Sequence, residues 1–279
     1  MQETVSIIMP AYNAQDFILR AIKSVLNQTH QSFELLIISD DLFNYKSFLE
    51  SKKISDKRIR FLSTGKIKSG IAHTRNIGME ETGNKILAIL DSDDTFMPRK
   101  LEIMVPKALE YGITTSALNY IGPDDSLITV FGNSSKKNTL KAEDYPFVNF
   151  ASSSMIIWDR EKIPLKWDEN YQVMEDLVFI MGCYDYIDEV FHVTEALHNY
   201  YFNPQSISNG DNASNLFIRA KSETIRHIDN NKFPVKNKKA LSALKKFLQM
   251  SLDSEIKFSK LKKVDKDAKF IVFLKEVYS

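Results

Sequence analysis

Apolar runs and helical stripes alternate along the first ninety residues. Val5-Ser6-Ile7-Ile8-Met9 predicts a strand, ended by Pro10. From Asp16 to Asn27, Phe17, Ala21 and Val25 recur at helical spacing with Ile18, Ile22 and Leu26 beside them, which predicts an amphipathic helix. Phe33 to Ile38 is apolar apart from Glu34 and predicts a second strand. A weaker helix is expected over Tyr45 to Lys53, and a short strand over Arg58 to Leu62. Ser69 to Glu81 reads as a helix capped by Ser69, and Lys85 to Leu90 as a fourth strand. Strands and helices alternating through short connections predict an α/β parallel sheet. Ligands of such sheets gather at the carboxyl ends of the strands. The polar clusters Ala11-Tyr12-Asn13, Ser39-Asp40-Asp41 and Asp91-Ser92-Asp93-Asp94 all follow predicted strands and should converge.

Beyond residue 97 the pattern loosens. Pro98 to Tyr111 predicts a helix with Pro98 in its first turn. Residues 112 to 158 are less regular, with short strands expected at Leu127 to Phe131 and Ser154 to Trp158. Met174 to Tyr186 reads as a helix opening with Glu175-Asp176, and Glu189 to Val193 as a strand. Asn203 to Asn215, rich in Asn, Ser, Gly and Pro, is a loop and a candidate boundary. From Leu216 to Ser279 the pattern is helical, with Leu241, Leu244, Phe247, Leu248 and Leu252 on one side. The expected division is a main domain over 1–213 and a helical region over 214–279.

Composition sharpens this picture in two places. From Arg219 onward there are 16 Lys or Arg against 7 Asp or Glu, so a net charge of +1 hides a basic tail on an acidic body. That points to two functional surfaces or simply to solvated lysine-rich helices. The lone cysteine, Cys183, excludes an intrachain disulfide framework and fits a reducing compartment. The start of the chain has no basic signal-peptide region, and no apolar run approaches the length of a membrane span. A cytoplasmic protein is expected. Nucleic acid is not among the expected partners.

The most informative stretch is Leu90-Asp91-Ser92-Asp93-Asp94, three carboxylates in four positions after an apolar run. Acids this close repel one another and are tolerated where a hard cation such as Mg2+ or Mn2+ neutralises them. A solvated turn is the competing reading, since Asp and Ser are good turn formers. His73, His192 and His198 lack metal-ligand spacing and are read as structural. Cys183 falls on an apolar helix face and reads as core. There is no P-loop or dinucleotide fingerprint.

Taken in order, these segments resemble glycosyltransferase family 2. Val5 to Asn13 looks like the family's first strand and turn, and Ser24-Val25-Leu26-Asn27-Gln28-Thr29 followed by Phe33 to Asp41 like its next helix and strand. Gly70, then Arg75-Asn76-Ile77-Gly78, then Gly83 before Asp91 to Asp94 is similar to the block that ends in the family's DXD motif. Glu175-Asp176 resembles the late acidic pair that holds its catalytic base. The resemblance covers roughly residues 4 to 208. Two departures stand out. Leu42-Phe43 replaces a common Gly-Ser, and near Tyr200-Tyr201-Phe202-Asn203 a common Tyr-Arg lacks its arginine, although Gln205-Ser206-Ile207-Ser208 stays closer to pattern.

The resemblance implies a GT-A fold: a Rossmann-like, mostly parallel sheet with flanking helices, here with a C-terminal helical appendage. It implies a metal-dependent, inverting transfer from a nucleotide-diphosphate sugar, a UDP-sugar by preference, to a glycan or lipid-linked acceptor in surface polysaccharide or lipooligosaccharide synthesis. Pro10, Ala11 and Tyr12 would lie near base and ribose, with Asp40 or Asp41 accepting from the base. Arg75 would sit beside the donor. Asp91, Ser92 and Asp93 would line the donor site, and Asp93 and Asp94 would hold Mn2+ or Mg2+. Asp176 would be the general base, with Glu175 orienting it or touching the acceptor. The basic tail would then rest on the inner membrane face, or alternatively cover the catalytic domain or pair two copies. A non-catalytic nucleotide- or glycan-binding subunit that retains the fold is the alternative. A sugar-nucleotide pyrophosphorylase would need a Gly-rich basic loop where Pro10-Ala11-Tyr12-Asn13 stands.

Overall fold

The computed structural model describes residues 2–149, 153–204, 206–210, 212–265, 270 and 273. Gln205 and most of the expected helix beyond residue 265 lie outside the described residues. The chain opens with β1 (Val5–Ala11), α1 (Ile18–Leu26), β2 (Phe33–Ser39), α2 (Tyr45–Ser51), β3 (Ile59–Ser63), α3 (Ile71–Glu80) and β4 (Ile86–Ile89). Then follow β5 (Thr95–Phe96), α4 (Lys100–Tyr111), β6 (Ile113–Ile121), β7 (Leu127–Phe131), β8 (Thr139–Lys141) and α5 (Tyr145–Val148). A short 3-10 turn (Ser153–Met155) leads to β9 (Ile156–Asp159), α6 (Glu175–Cys183), β10 (Glu189–Tyr201), α7 (Ala213–Asp229) and α8 (Lys238–Leu261).

One sheet carries the described strands in the order β3-β2-β1-β4-β9-β6-β10-β5, with β7 on β6 and β8 on β10. The alternating first part gives the parallel set β3-β2-β1-β4, and β6 runs parallel to β10. Antiparallel β9 joins the two sets between β4 and β6. The sheet is buried on both faces, and β1 shows how. Val5, Ile7 and Met9 face α1 and α4, whereas Ile8 faces α3, α6 and α8.

Several boundaries differ from the sequence expectation. Pro10 lies inside β1, not at its end. The Leu90 amide donates to Ile8 O and the Asp40 amide to Ala11 O, so Pro10, two residues after Ile8, faces the β4 side, where the ladder has already ended at Ile89. Its missing N–H therefore costs no strand bond. The irregular middle contains β6, a nine-residue strand. β10 runs on to Tyr201, past two register shifts between Val193 and His198. The α3 cap is Gly70 at φ 112°, not Ser69, whose hydroxyl is bound to Asp40.

The C-terminal helices share the main core. Ala240, Leu244, Phe247 and Leu248 of α8 pack with the residues of α6 and with Trp158 and Trp167. A buried Lys221–Glu255 pair at 2.8 Å ties α7 to α8. No helix among the described residues is long and apolar enough to cross a membrane.

Candidate active site

The ends of β1 and β2 meet as expected. Asp41 accepts from the Asn13 amide at 2.8 Å, the Phe43 amide at 3.0 Å, the Ser39 hydroxyl at 2.9 Å and the Tyr45 hydroxyl at 2.9 Å. Burial alone would push its carboxyl up; these four donors outweigh that and hold it below the usual range. Buried Asp40 accepts from the Thr64 hydroxyl (2.9 Å), the Ser69 amide (2.9 Å) and hydroxyl, and the Gly70 amide (3.2 Å). The expected pair is therefore taken up by the protein's own loops. Pro10 and Ala11 are buried in β1, and Tyr12 is exposed beyond them. Leu42, where many relatives have glycine, keeps a left-handed backbone at φ 60° with its side chain exposed. The Asp41 turn requires that conformation, and leucine adopts it at a cost of about 1–2 kcal/mol.

Arg75 joins the two distant acidic motifs. Its Nη2 donates to Asp91 Oδ1 at 3.0 Å and to Ser153 Oγ at 2.6 Å, and its Nη1 to Glu175 Oε1 at 2.8 Å. The guanidinium lies 4.6 Å from the Trp167 ring and is 1% exposed. The expected recognition by Arg75 is thus of carboxylates. Ser153 also donates to Asp91 Oδ2, and the Asp91 amide to Ser154 Oγ. Two neighbours of Arg75 explain its placement. Asn76 grips both the amide and the carbonyl of Trp167 at 2.9 Å. A Cβ on Gly78 would stand 2.6 Å from Ile8 Cγ2, so glycine lets α3 press against β1.

The Asp93–Asp94 half of the turn is electrostatically unlike the Asp40–Asp41 loop. Burial and then the charge of Asp91 push the Asp93 carboxyl up. Burial, then Asp93 and Asp91, push Asp94 well above its ordinary value. Asp94 Oδ1 accepts from the Tyr201 amide at 3.2 Å, while its buried Oδ2 has no partner among the described residues. Half-buried Ser92 lies between Asp91 and this pair.

Hard oxygen donors under mutual repulsion, one of them orphaned, fit a divalent cation of the Mg2+ or Mn2+ type. Such ions take one or two carboxylates and fill the rest of their shell with water and phosphate. Among the described residues no group of three or more His, Cys, Asp or Glu side chains is arranged to hold a metal. In such a site Asp93 and Asp94 would be the protein's share.

Sequence reasoning missed the buried companions of this turn. Lys100 is 0% exposed, 3.4 Å from Ser116 Oγ and 4.9 Å from the Phe96 ring. Burial pushes its ammonium down to about 7 against the pull of Asp94. Neighbouring His198, with neither ring nitrogen bonded among the described residues, is pushed well down by burial and by Lys100. Lys100 sits four residues before Met104 and eight before Ala108, on the buried stripe of α4, and that spacing was a usable signal. The Tyr201 ring carries the Arg20 guanidinium, 3.3 Å from its centroid.

Asp176 opens α6 behind Met174, which holds a left-handed φ of 66°. Burial first, then the charges of Glu175 and Asp91, push its carboxyl up to about 7, against the hydrogen bond from its own helix (Leu177 amide to Oδ1, 2.7 Å) and the pull of Arg75. A carboxyl raised in this way toward neutrality suits general base work.

Comparison with known proteins identifies the family and the fold. The sequence model described as Glycosyl transferase family 2 matches residues 6–162. An Escherichia coli protein named UDP-Glc:alpha-D-GlcNAc-diphosphoundecaprenol beta-1,3-glucosyltransferase WfgD is 39% identical over 116 residues, 42% of this chain and 45% of WfgD. A Haemophilus influenzae protein described as an uncharacterized glycosyltransferase is 32% identical over 184 residues, 64% of this chain and 71% of its own length. The chain thus spans under half of WfgD, and 16% of a Rickettsia bellii relative. Among solved structures, S. aureus TarS 1-349 in complex with UDP-GlcNAc superposes with a TM-score of 0.64 at 13% identity, covering 96% of this chain and 76% of that one. The fold is the GT-A fold, and the chain belongs to glycosyl transferase family 2.

Proposed function

We propose that this protein is an inverting glycosyltransferase that moves a sugar from a nucleotide-diphosphate donor, a UDP-sugar, to a hydroxyl of a glycan or lipid-linked acceptor, with Asp176 as general base. The observation that carries this reading is the Arg75 bridge, one buried guanidinium spanning Asp91 and Glu175. It links the donor-side turn to the residue beside the base. The UDP-sugar named for WfgD and the UDP-GlcNAc bound in TarS support the donor class. The diphosphoundecaprenol acceptor in the name WfgD supports a lipid-linked acceptor and work at the inner membrane face.

In this mechanism the loops pinned by Asp40 and Asp41 form the base and ribose wall, with Tyr12 at its exposed rim. Asp91, Ser92 and Asp93 line the donor, and Glu175, fixed by Arg75, orients the base. Asp176 accepts the acceptor hydroxyl's proton as the oxygen attacks the anomeric carbon from the face opposite the diphosphate. A divalent cation, Mn2+ or Mg2+, at Asp93 and Asp94 would supply Lewis-acid stabilisation of the leaving diphosphate. Residues 1–213 form the catalytic unit, and in the 214–279 region α7 and α8 cover its core and present lysines to an anionic leaflet.

Calorimetric titration of UDP and GDP, each with and without Mn2+, tests the donor site. Metal-dependent UDP binding that disappears in Asp93→Ala is expected; binding of neither nucleotide would overturn the reading in favour of a non-catalytic subunit. Asp176→Asn should lower turnover by about 10²–10⁴-fold while UDP still binds. Full turnover in that variant would remove Asp176 as base.

A further inference from the structure

The turn that would carry the donor diphosphate is crowded with acids, and most of its cations are already committed. Arg75 is 1% exposed and engaged by Asp91 and Glu175. Lys100 is sealed beneath Asp94 with 0% exposure. Arg20, on α1, is different. Its Nη2 donates to the Asp93 carbonyl at 2.9 Å, and its guanidinium carbon lies over Tyr201, 3.3 Å from the ring centroid. Its ion-pair partner is Asp125 at 3.7 Å, an aspartate whose side chain is 80% exposed, and its charge also draws the Asp93 carboxyl down against burial. Its buried Nε–H, like that of Arg75, has no acceptor among the described residues, so what sets Arg20 apart is the exposure of its ion pair.

Such a cation is anchored yet available. The ring and the Asp93 carbonyl fix its plane, so little side-chain freedom remains to be lost when a ligand arrives. The Asp125 pair is a surface contact of small worth and yields readily to a better anion. A planar guanidinium presents paired N–H donors that match the spacing of phosphate oxygens.

We infer that Arg20, held on the Tyr201 ring, is a diphosphate-binding residue of the donor site on the Asp93 side. The inference rests on the proposed donor class. Arg20 offsets the charge that gathers on the diphosphate as the sugar leaves, and it acts on the phosphates, not on the base.

The test compares UDP and UMP binding by calorimetry in Mn2+ for the wild type, Arg20→Ala, Arg20→Lys, Tyr201→Leu and Asp125→Ala. Arg20→Ala is expected to weaken UDP binding by about tenfold or more, the order of one charge-assisted contact, with UMP affected less than threefold. Arg20→Lys should recover part of the loss, Tyr201→Leu should show a smaller loss of the same selectivity, and Asp125→Ala should bind UDP at least as well as the wild type. Equal losses for UDP and UMP in Arg20→Ala would overturn the inference, reducing Arg20 to a support of the turn. So would UDP affinity within twofold of the wild type. A wild type that binds neither nucleotide would instead overturn the proposed function, a result distinguishable from both.

Discussion

Two loops of the site carry paired aspartates, and the protein treats them in opposite ways. Asp40 and Asp41 are saturated: between them they accept from amides and hydroxyls of Asn13, Ser39, Phe43, Tyr45, Thr64, Ser69 and Gly70. Asp93 and Asp94 sit in low dielectric beside Asp91, with one buried oxygen orphaned. The first pair is mortised into the fold and shapes a wall. The second is held at an energetic cost that protonation relieves, as a bound cation would. A pair of aspartates after a strand is therefore not one signal but two, separated by who donates to the carboxylates.

The sharpest way to break this contrast is a matched substitution in metal-free protein. Asp40→Ala strands several buried donors and should cost about 3 kcal/mol or more in denaturant unfolding. Asp94→Ala should cost less than about 1 kcal/mol or stabilise the protein, since it removes a buried repulsion, yet abolish any rise in Tm on adding Mn2+. Equal destabilisation by the two would erase the distinction.

A pH series sharpens it further. Asp93, Asp94 and Asp176 have folded carboxyls raised above their unfolded values, so the native state holds more protons than the unfolded chain between about pH 4 and the folded value, about 7 for Asp176. Their contribution is fully present below that window and lost as pH rises through it. Asp41, with its carboxyl lowered, contributes the opposite slope, present above its unfolded value and lost in acid. Lys100, lowered to about 7, and His198, also lowered, gain stability with rising pH and oppose this slope, so the acids are read by difference: from pH 5.5 to 8 the metal-free wild type should lose more Tm, or gain less, than metal-free Asp176→Asn, and Mn2+ should narrow that difference. Turnover should follow the deprotonation of Asp176, rising with pH. The smallest effect expected is at Leu42. Relief of its left-handed strain makes Leu42→Gly more stable by about 0.5 kcal/mol, after the added freedom of the unfolded chain is subtracted, with UDP affinity unchanged.

Much of this was legible in the sequence, for physical reasons. The β1 to β4 alternation is readable because β1, β2 and β4 are buried on both faces and appear as apolar runs, with only the edge strand β3 half-exposed. The acidic motifs are readable because carboxylates at strand ends are conspicuous. The strand β6 was hidden because Thr114, Thr115 and Ser116 look like surface, although each is 0% exposed. Thr115 is bonded to His192 and Ser116 to Lys100, partners far away in the chain. The same non-locality hid the difference between the two aspartate pairs. Nothing near Asp94 in sequence says that its amide donor is Tyr201, or that Asn13 serves Asp41.

The position of β9 in the sheet has a consequence for how the chain comes off the ribosome. β1 through β4 can assemble as soon as they emerge, but the next place in the sheet belongs to a strand ending at residue 159, about seventy residues later. Until then β4, the strand that presents the acidic turn, has an unpaired edge of amides and carbonyls at the centre of the future sheet. A nascent chain paused in that interval exposes a template for pairing with other chains, and chaperone demand should peak there and fall once β9 closes the seam.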